Sequence, residues 1–324
     1  VMVELQQNVW DGGGIKVQKK QATAEADVEK EKLNVDMYAL NSRVNDLYFG
    51  ILLLDEQLKQ NALLQDELER NYRQITAYVE NGIANQADLD AVKVEQLNTK
   101  QKRVELVSSR MAYLKMLSLL VGEKLSQETV LEKPVPQDDI SAVGEIRRPE
   151  LSLFNAQGVG LQVQEKALNV RHLPQFGLFV QGAYGNPGLN MLKNEFSPYY
   201  IAGVRLSWNF GSLYTLKNDR KVIENKRRQL DNNRDVFLFN TRLEMTQQDQ
   251  AIQSLEKQMQ DDDEIIRLRT NIRKSAEAKV ANGTLTVTEM LRELTNESLA
   301  RQSKALHEIQ RLMGIYQLKY TTND

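Results

Sequence analysis

The chain has no cysteine and only two histidines, His172 and His307. A thiol nucleophile, a cysteine-based zinc site and a disulfide framework are therefore excluded. The lack of cysteine is compatible with an oxidising compartment. No apolar run approaches the roughly 20 residues that a membrane-spanning helix needs; runs such as Ile51–Leu54 and Leu119–Val121 are far shorter. A chain of this kind can cross a bilayer only as strands of a closed barrel. A net charge of −2 and a pI near 6.0 argue against an electrostatic nucleic-acid binder. No constellation of nucleophile, base and orienting group is visible, and no metal-ligand cluster, so neither an enzyme nor a metal or cofactor protein is expected. No signal peptide is recognisable, and Val1 opens on an alternation already running, so a processed or truncated product is expected.

Proline is confined to one window: Pro134, Pro136, Pro149, Pro174, Pro187 and Pro198 are all there are. Proline inside a helix costs about 3 kcal/mol, so residues 1–133 and 199–324 are free to form long helices. Glycine is sparse there too. Only Gly50 and Gly82 lie between Gly14 and Gly122, and only Gly283 between Gly211 and Gly314.

What fills these stretches is a heptad. Steps of four and three from Leu33 give Met37, Leu40, Val44, Leu47, Ile51, Leu54, Leu58, Asn61, Gln65, Leu68, Tyr72, Ile75 and Val79, with only Asn61 and Gln65 breaking the apolar seam. This is a coiled-coil signal. A helix over about residues 15–80 is on the order of 100 Å long. Asn81-Gly82 supplies a left-handed stop. A return helix then carries Leu97, Val104, Val107, Met111, Leu114 and Val121 on one seam and ends at Gly122.

The pattern repeats. Val204–Gly211 resembles the segment from Val3 to Trp10 and its following Asp11-Gly12, and each precedes a long proline-free stretch. The second long helix stops at Asn282-Gly283 as the first stops at Asn81-Gly82. The offsets are 208 − 10 = 198 and 283 − 82 = 201, so two independent landmarks give a duplication with a period near 200. Between the copies, residues 123–147 read as a connector whose stiffest part is Lys133-Pro134-Val135-Pro136. Pro149 starts a helix running to about Val170. Gln175–Gly185 alternates, with Phe176, Leu178, Val180 and Gly182 on one face. After a turn-rich loop over Asn186–Pro198, Tyr199–Phe210 alternates again through Tyr200, Ala202, Val204, Leu206 and Trp208. Two strands of about 10–12 residues match tilted transmembrane strands.

This order resembles the TolC-like family of outer-membrane efflux channels. The resemblance rests on the Arg148-Pro149-Glu150-Leu151 helix start, on the turns at Trp10-Asp11-Gly12-Gly13 and Trp208-Asn209-Phe210-Gly211, and on two tips. The tips read Tyr78–Gly82 with Asp88-Leu89, and Ala278–Gly283 with Glu289-Met290-Leu291. The ordered set covers nearly the whole chain. The fold class it implies is mostly α, with long antiparallel coiled-coil hairpins of an α-barrel joined to transmembrane β-barrel strands, and an internal duplication. The expected segments are a transmembrane strand at 1–10, a helical hairpin at 11–122, an equatorial connector at 123–147, a helix toward the membrane at 148–172, a transmembrane β-hairpin at 173–210 and a second helical hairpin at 211–320. Relative to the family, the first helix and first strand are not present, so three strands stand where a protomer gives four.

The resemblance implies a passive exit duct of a tripartite efflux or secretion system. When full length it would be a homotrimer seated in outer-membrane lipid and reaching into the periplasm, opened at its tip by a periplasmic adaptor and an inner-membrane transporter, with no nucleic-acid partner. A soluble periplasmic coiled-coil adaptor or interaction protein is the competing reading. Asp88 and Glu289 would face the pore constriction as rings of carboxylates; alternatively each acid in a helix's first turn complements the macrodipole. Arg292 occupies a position where the family has a further acid, and it can instead pair with a neighbouring one. Gly82, Ile83, Gly283, Thr284 and Leu285 would form the adaptor-docking tip, or hairpin turns with a staple residue packed inward. Trp10, Tyr184, Tyr199, Tyr200, Trp208 and Phe210 would form interfacial belts.

Four further features have plainer readings. Gly12-Gly13-Gly14 lacks the Gly-Lys-Ser/Thr of a phosphate loop and reads as a strand-to-helix turn. Gly158-Val159-Gly160 would let helices pack closely. The basic run Lys217, Arg220, Lys221, Lys226, Arg227 and Arg228 reads as a solvated face, or as meeting headgroups or the upper tunnel. His172 and His307 stand alone in sequence and read as structural or surface residues.

Overall fold

The computed structural model describes residues 1–135, 145–192 and 194–323. Among them the order is β1 (Met2–Trp10), α1 (Gly14–Glu80), α2 (Gln86–Val121), α3 (Pro149–Val170), β2 (Gln175–Gly185), β3 (Ser197–Ser207), α4 (Ser212–Ala281) and α5 (Val287–Thr322). Of the connector expected at 123–147, residues 136–144, including Pro136, lie outside the described residues; the rest carries no helix or strand. Two compact units emerge, one from residues 1–36 and 148–239, the other from 37–147 and 240–324. α1 and α4 contribute to both.

The first unit contains an antiparallel sheet in the order β1-β2-β3. Its register places Val3, Gly182 and Tyr200 side by side, then Leu5, Val180 and Ala202, then Gln7, Leu178 and Val204. Side chains alternate along a strand, so one face is apolar and open to the surroundings, with Val3, Leu5, Leu178, Val180, Tyr200, Val204 and Leu206 all exposed. The other face carries Glu4, Gln6, Gln181 and Arg205. There the Arg205 guanidinium donates to Gln6 at 2.9 Å, lies 3.6 Å from Glu4 and sits over the Phe179 ring at 5.4 Å. A register shift between Asn8 and Trp10 inserts Val9 as an extra residue. It brings Trp10 onto the apolar face opposite Phe176, with ring centroids 5.6 Å apart.

β3 differs from the Tyr199–Phe210 strand expected. It starts two residues earlier and ends at Ser207. Pro198 is accommodated because β3 is an edge strand, where a missing N–H costs no ladder bond. Trp208–Phe210 leave the sheet because their polar groups are used in the turn into α4. The Trp208 indole N–H donates to the His172 carbonyl at 2.9 Å, and Asn209 Oδ1 accepts from the Gly211 N–H at 3.1 Å.

The other strand-to-helix turn is capped by Asp11. Its carboxylate accepts from the Ile15 and Gly13 N–H groups, and those bonds, Ile15's first, hold its pKa below the ordinary carboxylate value. Gly12 has φ 69°, and a Cβ there would lie 2.7 Å from Leu173 Cβ, so only glycine fits. α3 begins with Pro149 at its first position, and Arg148 pairs with Glu150 beside it. Arg227 reaches Glu165 at 2.7 Å and Arg220 reaches Asn169 at 2.6 Å. Two members of the basic run therefore fasten α4 to α3 and are not simply solvated. Among the described residues a Cβ at Gly160 would meet nothing from a neighbouring element within 4 Å, and one at Gly158 would meet only Leu230 at 3.8 Å, so these glycines do not serve close helix packing.

In the second unit the α1 heptad is realised in its later part. Leu47, Ile51, Asn61, Leu68 and Ile75 are buried, whereas Leu33 and Met37, at the start of the series, are exposed. α2 uses a different seam from the one expected. Its buried residues are Val92, Thr99, Leu106, Arg110, Leu114 and Leu117. Of the expected set only Leu114 is buried; Leu97, Val104 and Val121 are exposed. α2 carries two apolar stripes, and the helix turns the one containing Leu106 and Leu117 toward its own chain. Arg110 lies in that seam because each of its three nitrogens has an acceptor: it pairs with Asp55 and donates to the Gln127 and Thr129 carbonyls at 2.7 and 2.8 Å. It thereby ties the chain after α2 to the hairpin.

Candidate functional site

The two helix-turn tips are built alike. After α1, the Gly82 N–H donates to the Val79 carbonyl at 3.0 Å and the Ile83 N–H to the Tyr78 carbonyl at 2.8 Å. After α4, the Gly283 N–H donates to Val280 and the Thr284 N–H to Lys279, both at 2.9 Å. Gly82 and Gly283 have φ of 71° and 69°, the left-handed stop that glycine accepts without strain. Asn81 and Asn282 each return a side-chain amide to the carbonyl four residues back.

Both return helices then open with a capping box. Asn85 Oδ1 accepts from the Asp88 N–H at 3.0 Å while Asp88 accepts from the Asn85 N–H at 3.1 Å. Thr286 Oγ1 accepts from the Glu289 N–H at 3.2 Å while Glu289 accepts from the Thr286 N–H at 3.1 Å. The reciprocal bonds satisfy helix-end donors. Both acids expected at a constriction are thus caps in this chain. The Thr286 hydroxyl, then its N–H, hold Glu289 below the ordinary glutamate pKa. Arg292 is exposed and lies 3.8 Å from Glu293.

Ile83 is 52% exposed. Leu285 is half-buried and packs inward, joining Tyr72, Tyr78 and Ala84 around a buried cluster that includes Leu68, Ile75, Val92, Val280, Met290 and Leu291. Residues of both hairpins thus share one apolar core at the tips. Beside it sits an ionic hub that sequence reading did not find. Arg273, on α4, donates to Glu297 at 2.5 Å and to Glu67 at 2.9 Å, and also pairs with Glu277. Glu297 accepts in addition from Thr270 at 2.8 Å and from Arg301 at 2.6 Å. Burial pulls the Glu297 pKa up, but the bonds from Arg301, Thr270 and Arg273 outweigh it and leave the carboxyl below its ordinary value. The sequence traces of this hub are two i,i+4 pairs, Arg273–Glu277 and Glu297–Arg301; Glu67 lies 206 residues from Arg273.

Both histidines have polar partners. His307 Nδ1 lies 2.9 Å from buried Asp262, and His172 Nδ1 lies 2.8 Å from Ser212. Among the described residues no group of three or more His, Cys, Asp or Glu could hold a metal ion, and no helix is long and apolar enough to cross a membrane.

In the first unit the belt aromatics gather at the two ends of the sheet. Trp10 with Phe176, and Trp208 with Phe210 (centroids 4.5 Å apart), mark the helix-proximal end; Tyr184, stacked on Phe196 at 5.8 Å, marks the other. Phe176 and Tyr184 are eight residues apart on β2, about 27 Å at the ~3.4 Å per residue of an antiparallel strand. Tyr199 and Tyr200 alternate to opposite faces: Tyr200 stands out from the apolar face, 81% exposed, and Tyr199 is half-buried on the polar one beside Ala183. Only Tyr200 of the two can join an apolar belt.

No family model and no curated protein matches the sequence. Solved structures do. The outer membrane protein VceC from Vibrio cholerae superimposes with a TM-score of 0.75 at 13% identity, over 99% of this chain and 77% of that one. CusC gives 0.77 at 15% identity, over 99% and 76%. The Campylobacter jejuni CmeC outer membrane channel gives 0.73 at 12%, over 99% and 70%. At these identities the likeness establishes the fold.

Proposed function

From this TolC-like outer-membrane channel fold, we propose that the chain forms the wall of a passive exit duct through an outer membrane. The observation that carries the reading is the sheet: one apolar face held in register across three strands, a polar face behind it, and aromatics at both ends. An exposed apolar face of that kind is satisfied by hydrocarbon, and a span of about 27 Å between aromatic belts matches the ~25 Å apolar band of membrane barrels. The competing reading, a soluble coiled-coil protein, leaves that face in water.

A homotrimer of the full-length protein would close the barrel, and the exposed stripe of α2 through Leu97 and Val104 would meet a neighbouring protomer. Three-fold symmetry would turn Asp88 and Glu289 into carboxylate rings at a periplasmic constriction, with Arg292 beside them. Gly82, Ile83, Gly283 and Thr284 would meet the adaptor, with Leu285 supporting the surface from within. Trp10, Tyr184, Tyr200, Trp208 and Phe210 would sit at the membrane interfaces. An inner-membrane transporter would supply the energy. The test is planar-bilayer recording: ion-conducting steps are expected from the assembled protein, and folded, membrane-inserted protein that never conducts would reject the duct.

A further inference from the structure

The sheet-proximal ends of α1 and α3 enclose a groove of about 370 Å³ lined by Lys19, Lys20, Lys166, Ala24, Val159 and Val163, with Asp27 the one acid on its wall. No acidic residue lies between Asp11 and Glu25, and among the described residues none of the three lysines forms an ion pair. A larger cavity, about 660 Å³, lies against the opposite face of α3: it is lined by Gln157, Gly160 and Gln164 and is closed by both α1 and α4. The lysine groove is bordered by α1 and α3 alone and lies on the other face of α3.

Depth fits as well. Lys166 precedes the end of α3 by four residues and Lys19 follows the start of α1 by five, about 6–8 Å of helix at ~1.5 Å per residue. The interfacial layer of a bilayer is roughly 5–8 Å deep on each side, and lysine ammonium groups reach along their stems to it. The same end of the sheet carries Trp10, Phe176 and Trp208. Three unpaired cations near the sheet-proximal ends of two helices suit a ligand that presents a negative charge at the bilayer surface.

We propose that this groove binds the headgroup of an anionic phospholipid in the leaflet nearest the helices, with Lys19, Lys20 and Lys166 on its phosphate. The proposal rests on the membrane reading of the sheet. Trp10 and Trp208 are the chain's two tryptophans, so their fluorescence can test both independently. The full chain is inserted into vesicles of brominated phosphatidylcholine or brominated phosphatidylglycerol, whose bromines quench tryptophan at the bilayer.

Quenching by both lipids is expected, with an apparent preference for phosphatidylglycerol on the order of tenfold. In a Lys19→Gln/Lys20→Gln/Lys166→Gln variant the preference should fall to near unity while quenching by phosphatidylcholine stays. Helicity by circular dichroism should be unchanged, because the three side chains hold no partner. Equal quenching in the unaltered chain, or a preference surviving in the variant, overturns the headgroup site and leaves the sheet reading standing. Competition by inorganic phosphate at matched ionic strength would assign the groove to a soluble anion and overturn the lipid. Absence of quenching by either lipid overturns the sheet reading and the proposal with it.

Discussion

At the scale of single residues, buried charge is the most demanding feature of the chain. The Glu297 side chain is 6% exposed and Arg273 is 13% exposed, and each is tolerated because it is paired: Arg273 with Glu297, Glu67 and Glu277, and Glu297 with Arg273, Arg301 and Thr270. Arg273→Met should cost about 3 kcal/mol or more, since it leaves buried carboxylates without their central cation. Adding Glu297→Leu should recover part of that loss, because an apolar pair of similar volume removes the desolvation problem; the coupling is read from a double-mutant cycle in urea. Additive effects would mean that Arg273 and Glu297 do not act as a unit. The pH sign follows from the lowered Glu297 pKa. Its stabilisation is complete above the ordinary glutamate value of 4.5 and is lost as pH falls below it. Urea midpoints should therefore be insensitive to this group between pH 6 and 8 and should fall once the buffer is more acidic than that value.

At the scale of elements, two glycines are required for different reasons, and different second changes relieve their loss. Gly82 has φ 71° and open space where a Cβ would stand. Gly82→Ala should cost about 1 kcal/mol of backbone strain, and Gly82→Asn should cost less, because asparagine tolerates the left-handed region. Gly50 sits inside α1, where alanine would ordinarily stabilise, but its Cβ would lie 2.5 Å from the Tyr113 ring. Gly50→Ala should therefore destabilise the α1–α2 pair, and Gly50→Ala with Tyr113→Leu should reverse the loss; thermal melts of the three variants decide it. These elements were legible in sequence to very different degrees. Helix ends at Gly82, Gly122 and Gly283, the proline start of α3 and the bounds of β2 follow from local chemistry, and local chemistry prints itself in neighbouring residues. The α2 seam does not, because two stripes on one helix satisfy the same periodicity and only the partner's position selects between Leu97 and Leu106. Arg110 and Arg273 were invisible for the same reason: their partners are supplied by distant parts of the chain. The end of β3 was misjudged because Trp208 continues the alternation, while its indole N–H is committed to the turn.

At the scale of the whole molecule, the duplication places equivalent acids, Asp88 and Glu289, at equivalent points of two tips, and the unanswered point is whether they do more than cap. Capping needs only a hydrogen-bond acceptor at each site, which an amide oxygen also provides. A pore ring needs net charge. Asp88→Asn with Glu289→Gln separates the two, since it keeps the acceptor and removes the charge. In planar bilayers under a KCl gradient, the unaltered protein should show a reversal potential on the cation-selective side, and the double variant should move toward zero with conducting steps retained. The Thr286 hydroxyl and N–H keep Glu289 below its ordinary value of 4.5, so its share of the cation preference should persist from neutral pH down to that value and disappear only under more acidic buffer. A preference lost already near pH 6 would assign selectivity to some other group. A reversal potential identical in the unaltered chain and the double variant would leave both carboxylates as helix caps alone.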